Sequence, residues 1–175
     1  CAARFAAQSH RRAALRVGHT LQEAGSSLNH YIVDLCSKAA LQVSLTGGKG
    51  ASLASLCRKG FQVPHGFVIT SHAFRGFLEH HGLQTSLSRQ SWSSDELSEV
   101  RGLIATRSIP DSVAKPIRKA YGRLGGRVAV RSSMIGEDAA DRSFAGQLDT
   151  ILNVEGAEAL LDAVRCCWAS LFNTR

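Results

Sequence analysis

Two segments contain the residues best suited to bind a phosphate group. The first is GGKG at positions 47–50, where Lys49 stands at the beginning of a run with helical spacing. Glycines let the backbone approach a ligand closely, and a helix N-terminus presents unsatisfied N–H groups to an anion. The segment is neither a P-loop, because Gly50 follows the lysine, nor a dinucleotide fingerprint, because Leu53 replaces the third glycine. A glycine-rich turn with a surface lysine is the alternative interpretation.

The second segment, VAVRSS at positions 128–133, places an arginine late in an apolar strand. Alternation predicts Val128 and Val130 on one face of this strand and Ala129 and Arg131 on the other. Because a buried unpaired guanidinium is costly, Arg131 is expected either to pair with a carboxylate or to grip an anion through two parallel hydrogen bonds. The following loop supplies four acids, which we interpret as solvated, with metal binding as the less favoured alternative: Glu137, Asp138, Asp141 and Asp149.

The elements predicted around these segments are those of an α+β domain. Short apolar runs predict strands at 31–35, 66–70, 127–133 and 148–154. Helices are predicted to begin near Lys49, Ser71, Ser93, Pro110 and Ala157. The connection between the last two strands is long for a hairpin, which indicates a functional loop.

The helix predicted after Lys49 has a recognisable apolar face and a recognisable end. Leu53, Leu56 and Cys57 share one face at helical spacing, so this face is expected to be buried. Gly60 stands where a C-terminal glycine cap belongs.

Two further signals concern the helices that follow. Ser93 and Glu96 have the spacing of a capping box, in which each residue bonds to the backbone of the other. Pro116 lies inside the helix predicted to begin at Pro110. An interior proline costs about 3 kcal/mol or more, so a kink or a later start of that helix is expected.

The composition is that of a globular chain with a basic surface. The 175 residues include 21 basic and 14 acidic ones, a net charge of +7, and 44% are apolar. No apolar run approaches the roughly 20 residues that span a bilayer, so no membrane partner is expected. The basic residues are scattered and not interleaved with aromatic ones, which disfavours a nucleic-acid interface relative to a site for a small phosphorylated molecule.

Residues 1–30 are predicted to form a basic, poorly ordered leader outside the domain. Five cysteines show neither CxxC pairs nor metal-ligand spacing with histidine, so we interpret them as reduced thiols of a cytoplasmic protein. The arginine-rich leader is similar in composition to a transit peptide, which leaves an organelle as the alternative location.

Three segments together resemble a known family. They are GGKGASLASLCRKGFQVPHGFVITSHAFRGFL, VAVRSSMIGEDAADRSFAGQLDTILNV and CCWASLFNTR, in this order and spacing. They are similar to the N-terminal ATP-binding domain of the phosphoenolpyruvate synthase and pyruvate phosphate dikinase family, which includes rifampicin phosphotransferase. The resemblance covers residues 31–175 and implies the first portion of an ATP-grasp-like domain, truncated at its C-terminus. Such a domain has a mixed or antiparallel sheet with flanking helices.

The resemblance also implies a reaction and a set of binding residues. In this family ATP gives its β-phosphoryl group to a histidine on a separate domain, with AMP and phosphate as products, and the histidine then phosphorylates an acceptor. By position, Lys49 and Arg131 would hold the phosphates of ATP, and Gly146 and Thr150 would line the nucleotide.

The remaining parts of the reaction are expected outside this segment. The resemblance implies that the magnesium-binding acid, the second lobe of the ATP site and the phosphohistidine domain all lie downstream. No catalytic or metal-binding residue is therefore assigned here, and the fragment alone is expected to be inactive. The acceptor, whether pyruvate, a rifamycin or a glucan, cannot be read from this segment. A stand-alone nucleotide-binding module without catalysis is the alternative function, and a basic nucleic-acid binder ranks third.

Overall fold

The computed structural model describes residues 31–84, 93–133 and 150–172, so the predicted leader lies outside the described residues. These ranges contain four strands, five α-helices and one 3-10 turn. The strands are β1 (Ile32–Asp34), β2 (Phe67–Ile69), β3 (Val128–Arg131) and β4 (Thr150–Val154). The helices are α1 (Val43–Arg58), α2 (Ser71–His80), α3 (Ser94–Thr106), α4 (Asp111–Leu124) and α5 (Ala157–Ser170), and the 3-10 turn is Ala39–Leu41. The α+β class predicted from the sequence is confirmed.

The four strands form two antiparallel pairs within the described residues. β1 pairs with β2, and β3 pairs with β4 so that Arg131 lies opposite Thr150. On β3, Val128 and Val130 are half-buried whereas Ala129 and Arg131 are exposed, which confirms the predicted alternation. The pairing of β3 with β4 shifts by one residue between Val128 and Val130.

The residue that permits this shift is Asn153 on β4. Its φ of 57° lies in the left-handed region, which asparagine tolerates better than most residues. An extra residue on one strand of an antiparallel pair bends that strand and increases its twist. The β3–β4 pair is therefore a bulged hairpin rather than a regular one.

The main hydrophobic core is formed mainly by residues of α2, α3, α4 and α5. Phe77, Leu78, Ile104 and Ile117 are fully buried in it, and they come from three different helices. Trp168 of α5 packs against the rings of Phe74 and Phe77 of α2, at centroid distances of 5.3 Å in both cases. The buried residues of α2 to α5 thus recur at helical spacing.

The face of α1 is the exception. The predicted buried face included Leu56, but its side chain is 41% exposed. The buried residues of α1 are small ones instead, among them Gly50 and Ala54. A Cβ atom built on Gly50 would lie 3.7 Å from Val68 of β2, so small residues let the helix lie close to the strand. Helical spacing located the apolar residues of α1. It did not indicate which face of α1 is buried, because the close approach of the α1 backbone to β2 determines that face.

Gly60 ends α1 as predicted, and Gly82 ends α2. Gly60 has a φ of 85°, and its N–H donates to the Cys57 carbonyl at 3.1 Å. The next residue, Phe61, donates to the Leu56 carbonyl at 3.1 Å, which completes a Schellman motif. Gly82 ends α2 with the same pattern of positive φ and reversed hydrogen bonds.

The starts of α3 and α4 test two further predictions. The Ser93 hydroxyl accepts from the Glu96 N–H at 3.2 Å, and the Glu96 carboxylate accepts from the Ser93 N–H at 2.8 Å, so the capping box is confirmed. α4 begins at Asp111, directly after Pro110, and continues through Pro116. Of the two alternatives predicted for this helix, a kink or a later start, the later start is wrong. The core contacts of α4, which bury Val113 and Ile117, offset the missing donor of Pro116.

The interpretation of all cysteines as reduced thiols is also wrong. Cys36 and Cys57 form a disulfide with a Cα–Cα distance of 5.5 Å, whereas Cys166 and Cys167 are not disulfide-bonded. Ala54 packs with Val33 and Ala40 in a second, smaller apolar cluster. This packing brings the last turn of α1 beside the loop after β1, a proximity that cysteine spacing along the chain cannot indicate.

Candidate functional site

The glycine segment interrupts α1. Gly47 has φ 72° and ψ 176°, a conformation essentially restricted to glycine, and the residues on either side of it are helical. The short turn before Gly47 is held by buried Thr46, whose hydroxyl donates to the Ala40 carbonyl at 2.8 Å. The continuous part of α1 therefore starts directly after Gly47. The prediction of a helix start close to Lys49 is correct in this sense, and the additional turn before it was not predicted.

This helix start contacts the end of β3. The Lys49 ammonium donates to the Ser132 carbonyl at 3.4 Å, and the Gly50 N–H donates to the Ser133 hydroxyl at 3.1 Å. The partners are 83 residues apart in the chain in both cases. Lys49 is half-buried and Ser132 is buried. The two segments singled out in the sequence thus lie side by side.

Gly47 makes the contact sterically feasible. A Cβ atom at this position would overlap the Ser133 hydroxyl and would lie 2.7 Å from the carbonyl carbon and oxygen of Ser133. Real Cβ atoms do not approach backbone atoms this closely. Glycine is therefore required at position 47 for its backbone conformation and, independently, for the space it leaves.

Arg131 and Thr150 are cross-strand neighbours on the hairpin. They are register partners of β3 and β4, and both residues are exposed. Side chains of directly opposite residues project from the same face of an antiparallel pair. Among the described residues Arg131 forms no ion pair, whereas Arg127 just before β3 is paired with Glu155 at 3.0 Å. The guanidinium of Arg131 is thus left exposed by the described part of the chain.

The structure describes some of the predicted binding residues and not others. The structure brings Lys49 against Ser132, which directly follows Arg131, and it pairs Arg131 with Thr150. Gly146 lies outside the described residues, as do the four loop acids. Sequence reasoning missed the contact of Ser133 with Gly47 and Gly50, because no local pattern links positions so far apart. The arrangement offers an ammonium group and a guanidinium group at the junction of a helix start and a strand end, which suits a polyanion.

The sequence profile of the family described as pyruvate phosphate dikinase, AMP/ATP-binding domain, matches residues 43–175. The chain belongs to this family. The match begins at the first residue of α1 and includes Lys49, Arg131, Gly146 and Thr150. The family predicted from the sequence is confirmed.

The curated relatives of the chain described here are named as phosphoenolpyruvate synthases or as rifampicin phosphotransferases. A probable phosphoenolpyruvate synthase of Methanothermobacter thermautotrophicus is 36% identical over 173 aligned residues, which cover 90% of this chain and 25% of the relative. A rifampicin phosphotransferase of a Streptomyces species is 42% identical, over 82% of this chain and 18% of the relative. A phosphoenolpyruvate synthase of Aquifex aeolicus is 37% identical, over 76% of this chain and 18% of the relative. The chain spans a quarter or less of the length of these relatives.

Two further properties of the described residues concern membrane-spanning helices and metal-binding groups. None of their helices is both long enough and apolar enough to cross a bilayer. They also contain no group of three histidine, cysteine, aspartate or glutamate side chains arranged to hold a metal ion.

Proposed function

We propose that the chain binds ATP as the nucleotide-binding portion of a dikinase-type phosphotransferase with an ATP-grasp-like site. Membership of the AMP/ATP-binding domain family supports the choice of ligand. The observation that carries the proposed location is the contact of the Lys49 helix start with the end of β3. Through it Lys49 contacts Ser132, the residue that directly follows Arg131 in the chain.

Each proposed binding residue has a role that suits its chemistry. Lys49 supplies a compact positive charge to the phosphates, and Arg131 grips phosphate oxygens through its planar fork of donors. Thr150 and Gly146 line the nucleotide, the first from the strand opposite Arg131 and the second from the segment that precedes this strand in the sequence. Phosphoryl transfer requires mainly positioning and neutralisation of charge, which these side chains can provide without forming covalent bonds.

The complete reaction involves parts of the protein other than this chain. We propose that the β-phosphoryl group of ATP passes to a histidine on a separate domain and then to an acceptor, with AMP and phosphate as products. Relatives named for phosphoenolpyruvate synthesis and for rifampicin phosphorylation match this chain about equally well. The acceptor is therefore selected outside the matched region, and the chain alone is expected to bind ATP without transferring phosphate.

Magnesium, when bound together with ATP, would neutralise charge on the phosphates. We propose that the metal ligands belong to other parts of the protein, and no step of the proposed role of Lys49 or Arg131 depends on them.

The proposal is tested by measuring the dissociation constant of ATP with magnesium for the 175-residue chain and four variants. Each of Lys49→Ala and Arg131→Ala removes a charge-assisted hydrogen bond worth about 1.5–3 kcal/mol, so affinity should fall by about tenfold or more. Isothermal titration calorimetry gives the constants directly.

The chain offers a matched control for each variant. Lys59→Ala removes the same charge just beyond the other end of α1, and Arg127→Ala removes a guanidinium just before β3. Both controls should leave the ATP affinity within about twofold of wild type, because exposed charges at a distance are screened by solvent and salt. Equal losses in test and control variants would show that net charge, not the proposed site, governs binding.

A further inference from the structure

The start of α1 lacks the side chain that normally caps a helix. With Gly47 as the last non-helical residue, the next three residues are the first helical ones, and the third of these is Gly50. An N-cap side chain usually accepts a hydrogen bond from the N–H of the second or third helical residue. Glycine at the N-cap position provides no such acceptor.

Ser133 supplies the missing acceptor from another part of the chain. Its hydroxyl accepts from the Gly50 N–H at 3.1 Å, and it occupies the space in which a Cβ atom of Gly47 would lie. The preceding residue, Ser132, accepts from the Lys49 ammonium through its carbonyl at 3.4 Å. Two consecutive serines therefore hold both the backbone beyond Lys49 and the side chain of Lys49 itself.

We infer that Ser133 is a positioning residue for nucleotide binding, which caps α1 in place of an N-cap side chain and thereby fixes Lys49 relative to Arg131. This inference rests on the proposed function. Because Arg131 is only two residues before Ser133, the same contact connects the helix start that carries Lys49 to the end of the strand that carries Arg131. Without the hydroxyl, the start of α1 would lose one of its hydrogen bonds to the end of β3, and the position of Lys49 relative to Arg131 would be less tightly fixed.

The chain contains a second serine cap that provides a matched control. The Ser93 hydroxyl accepts from the third helical N–H of α3 at 3.2 Å, nearly the same bond as that of Ser133. Ser93→Ala and Ser133→Ala each remove one capping hydroxyl, so each should lower the melting temperature by about 2–4 °C. A role of Ser133 in stability alone would make the two variants indistinguishable in ligand binding.

The test compares ATP binding by wild type, S133A, S93A, K49A and the double variant K49A/S133A, all in the 175-residue chain. We expect S133A to weaken binding of ATP with magnesium by about fivefold, as for the loss of one hydrogen bond, and S93A to leave it unchanged. In the K49A background, S133A should have little further effect on affinity while still lowering the melting temperature, because its effect on affinity acts through Lys49. Amide hydrogen exchange at Gly50 should accelerate in S133A and not in S93A.

The outcomes separate this inference from the proposed function. No ATP binding by wild type would overturn the proposed function and, with it, the positioning role. Wild-type binding with equal affinities in S133A and S93A would overturn the positioning role alone. Full additivity of K49A and S133A in the binding free energy would also overturn it, since Ser133 would then act independently of Lys49.

Discussion

Gly47 meets two separate requirements at one position. Its backbone conformation belongs to a region that costs other residues about 1–3 kcal/mol. Its missing side chain leaves space for the backbone and hydroxyl of Ser133. Gly60 meets only the first requirement, because its φ is also positive but a Cβ atom there would contact nothing within 4 Å.

This difference allows strain and crowding to be measured separately. Gly60→Ala should destabilise the chain by about 1–2 kcal/mol through the left-handed conformation alone. Gly47→Ala should cost about 1–3 kcal/mol more, because overlap with Ser133 adds to the strain. Urea unfolding followed by circular dichroism gives both values. Equal costs for the two variants would mean that α1 and β3 do not approach each other as described.

At the scale of helices and strands, a sequence pattern predicted a structural feature where that feature depends only on residues close together in the chain. The Ser93 capping box and the glycine caps at Gly60 and Gly82 depend on neighbours within a few residues, so their sequence patterns suffice. The buried face of α1 depends instead on how closely β2 approaches, which favours Gly50 and Ala54 over Leu56. Helical periodicity contains no information on that approach.

The candidate site shows the same division. Lys49 and Arg131 were proposed as binding residues from residue type and position, since a lysine behind glycines and an arginine in an apolar strand are unusual locally. The cap supplied by Ser133 was not identified, because it joins segments 83 residues apart. The Cys36–Cys57 disulfide escaped prediction for a related reason, since packing of α1 on the loop after β1 creates it.

The disulfide is expected to stabilise the segment that contains α1. It closes a loop with a sequence separation of 21 residues. A loop of this size corresponds to about 3 kcal/mol of stabilisation in the chain-entropy model. Cys36→Ser should therefore lower the unfolding free energy by about that amount, and thiol reductant should do the same to wild type but not to the variant. Cys166→Ser, at an exposed free cysteine, is the control and should change stability by less than about 0.5 kcal/mol.

At the scale of the whole molecule, one core joins early and late parts of the chain. Phe77 of α2 is fully buried against Trp168 of α5, with α3 and α4 contributing to the same cluster. Arg118 of α4 also donates to Glu158 of α5 at 2.9 Å, which raises the pKa of the Arg118 guanidinium. The hydrophobic core that supports the candidate site is therefore formed mainly by residues outside the site.

A phenylalanine pair tests the contribution of this core. Phe77→Ala should destabilise the chain by about 3–5 kcal/mol, a large part of the 5–15 kcal/mol typical of a domain. Phe61→Ala removes the same side chain where it is 61% exposed and should cost less than about 1 kcal/mol. Chemical denaturation measures both. Similar costs would contradict the assignment of Phe77 to the centre of the core.

The separation of 83 residues between the start of α1 and the end of β3 has a consequence during synthesis of the protein. A growing polypeptide that has left the ribosome only as far as α4 already contains Lys49 but has neither Arg131 nor the serine that caps α1. At the proposed site, a chain of this length would therefore lack half of the groups that bind nucleotide. The proposal thus predicts that ATP stabilises only those nascent chains in which β3 has already emerged and docked against α1.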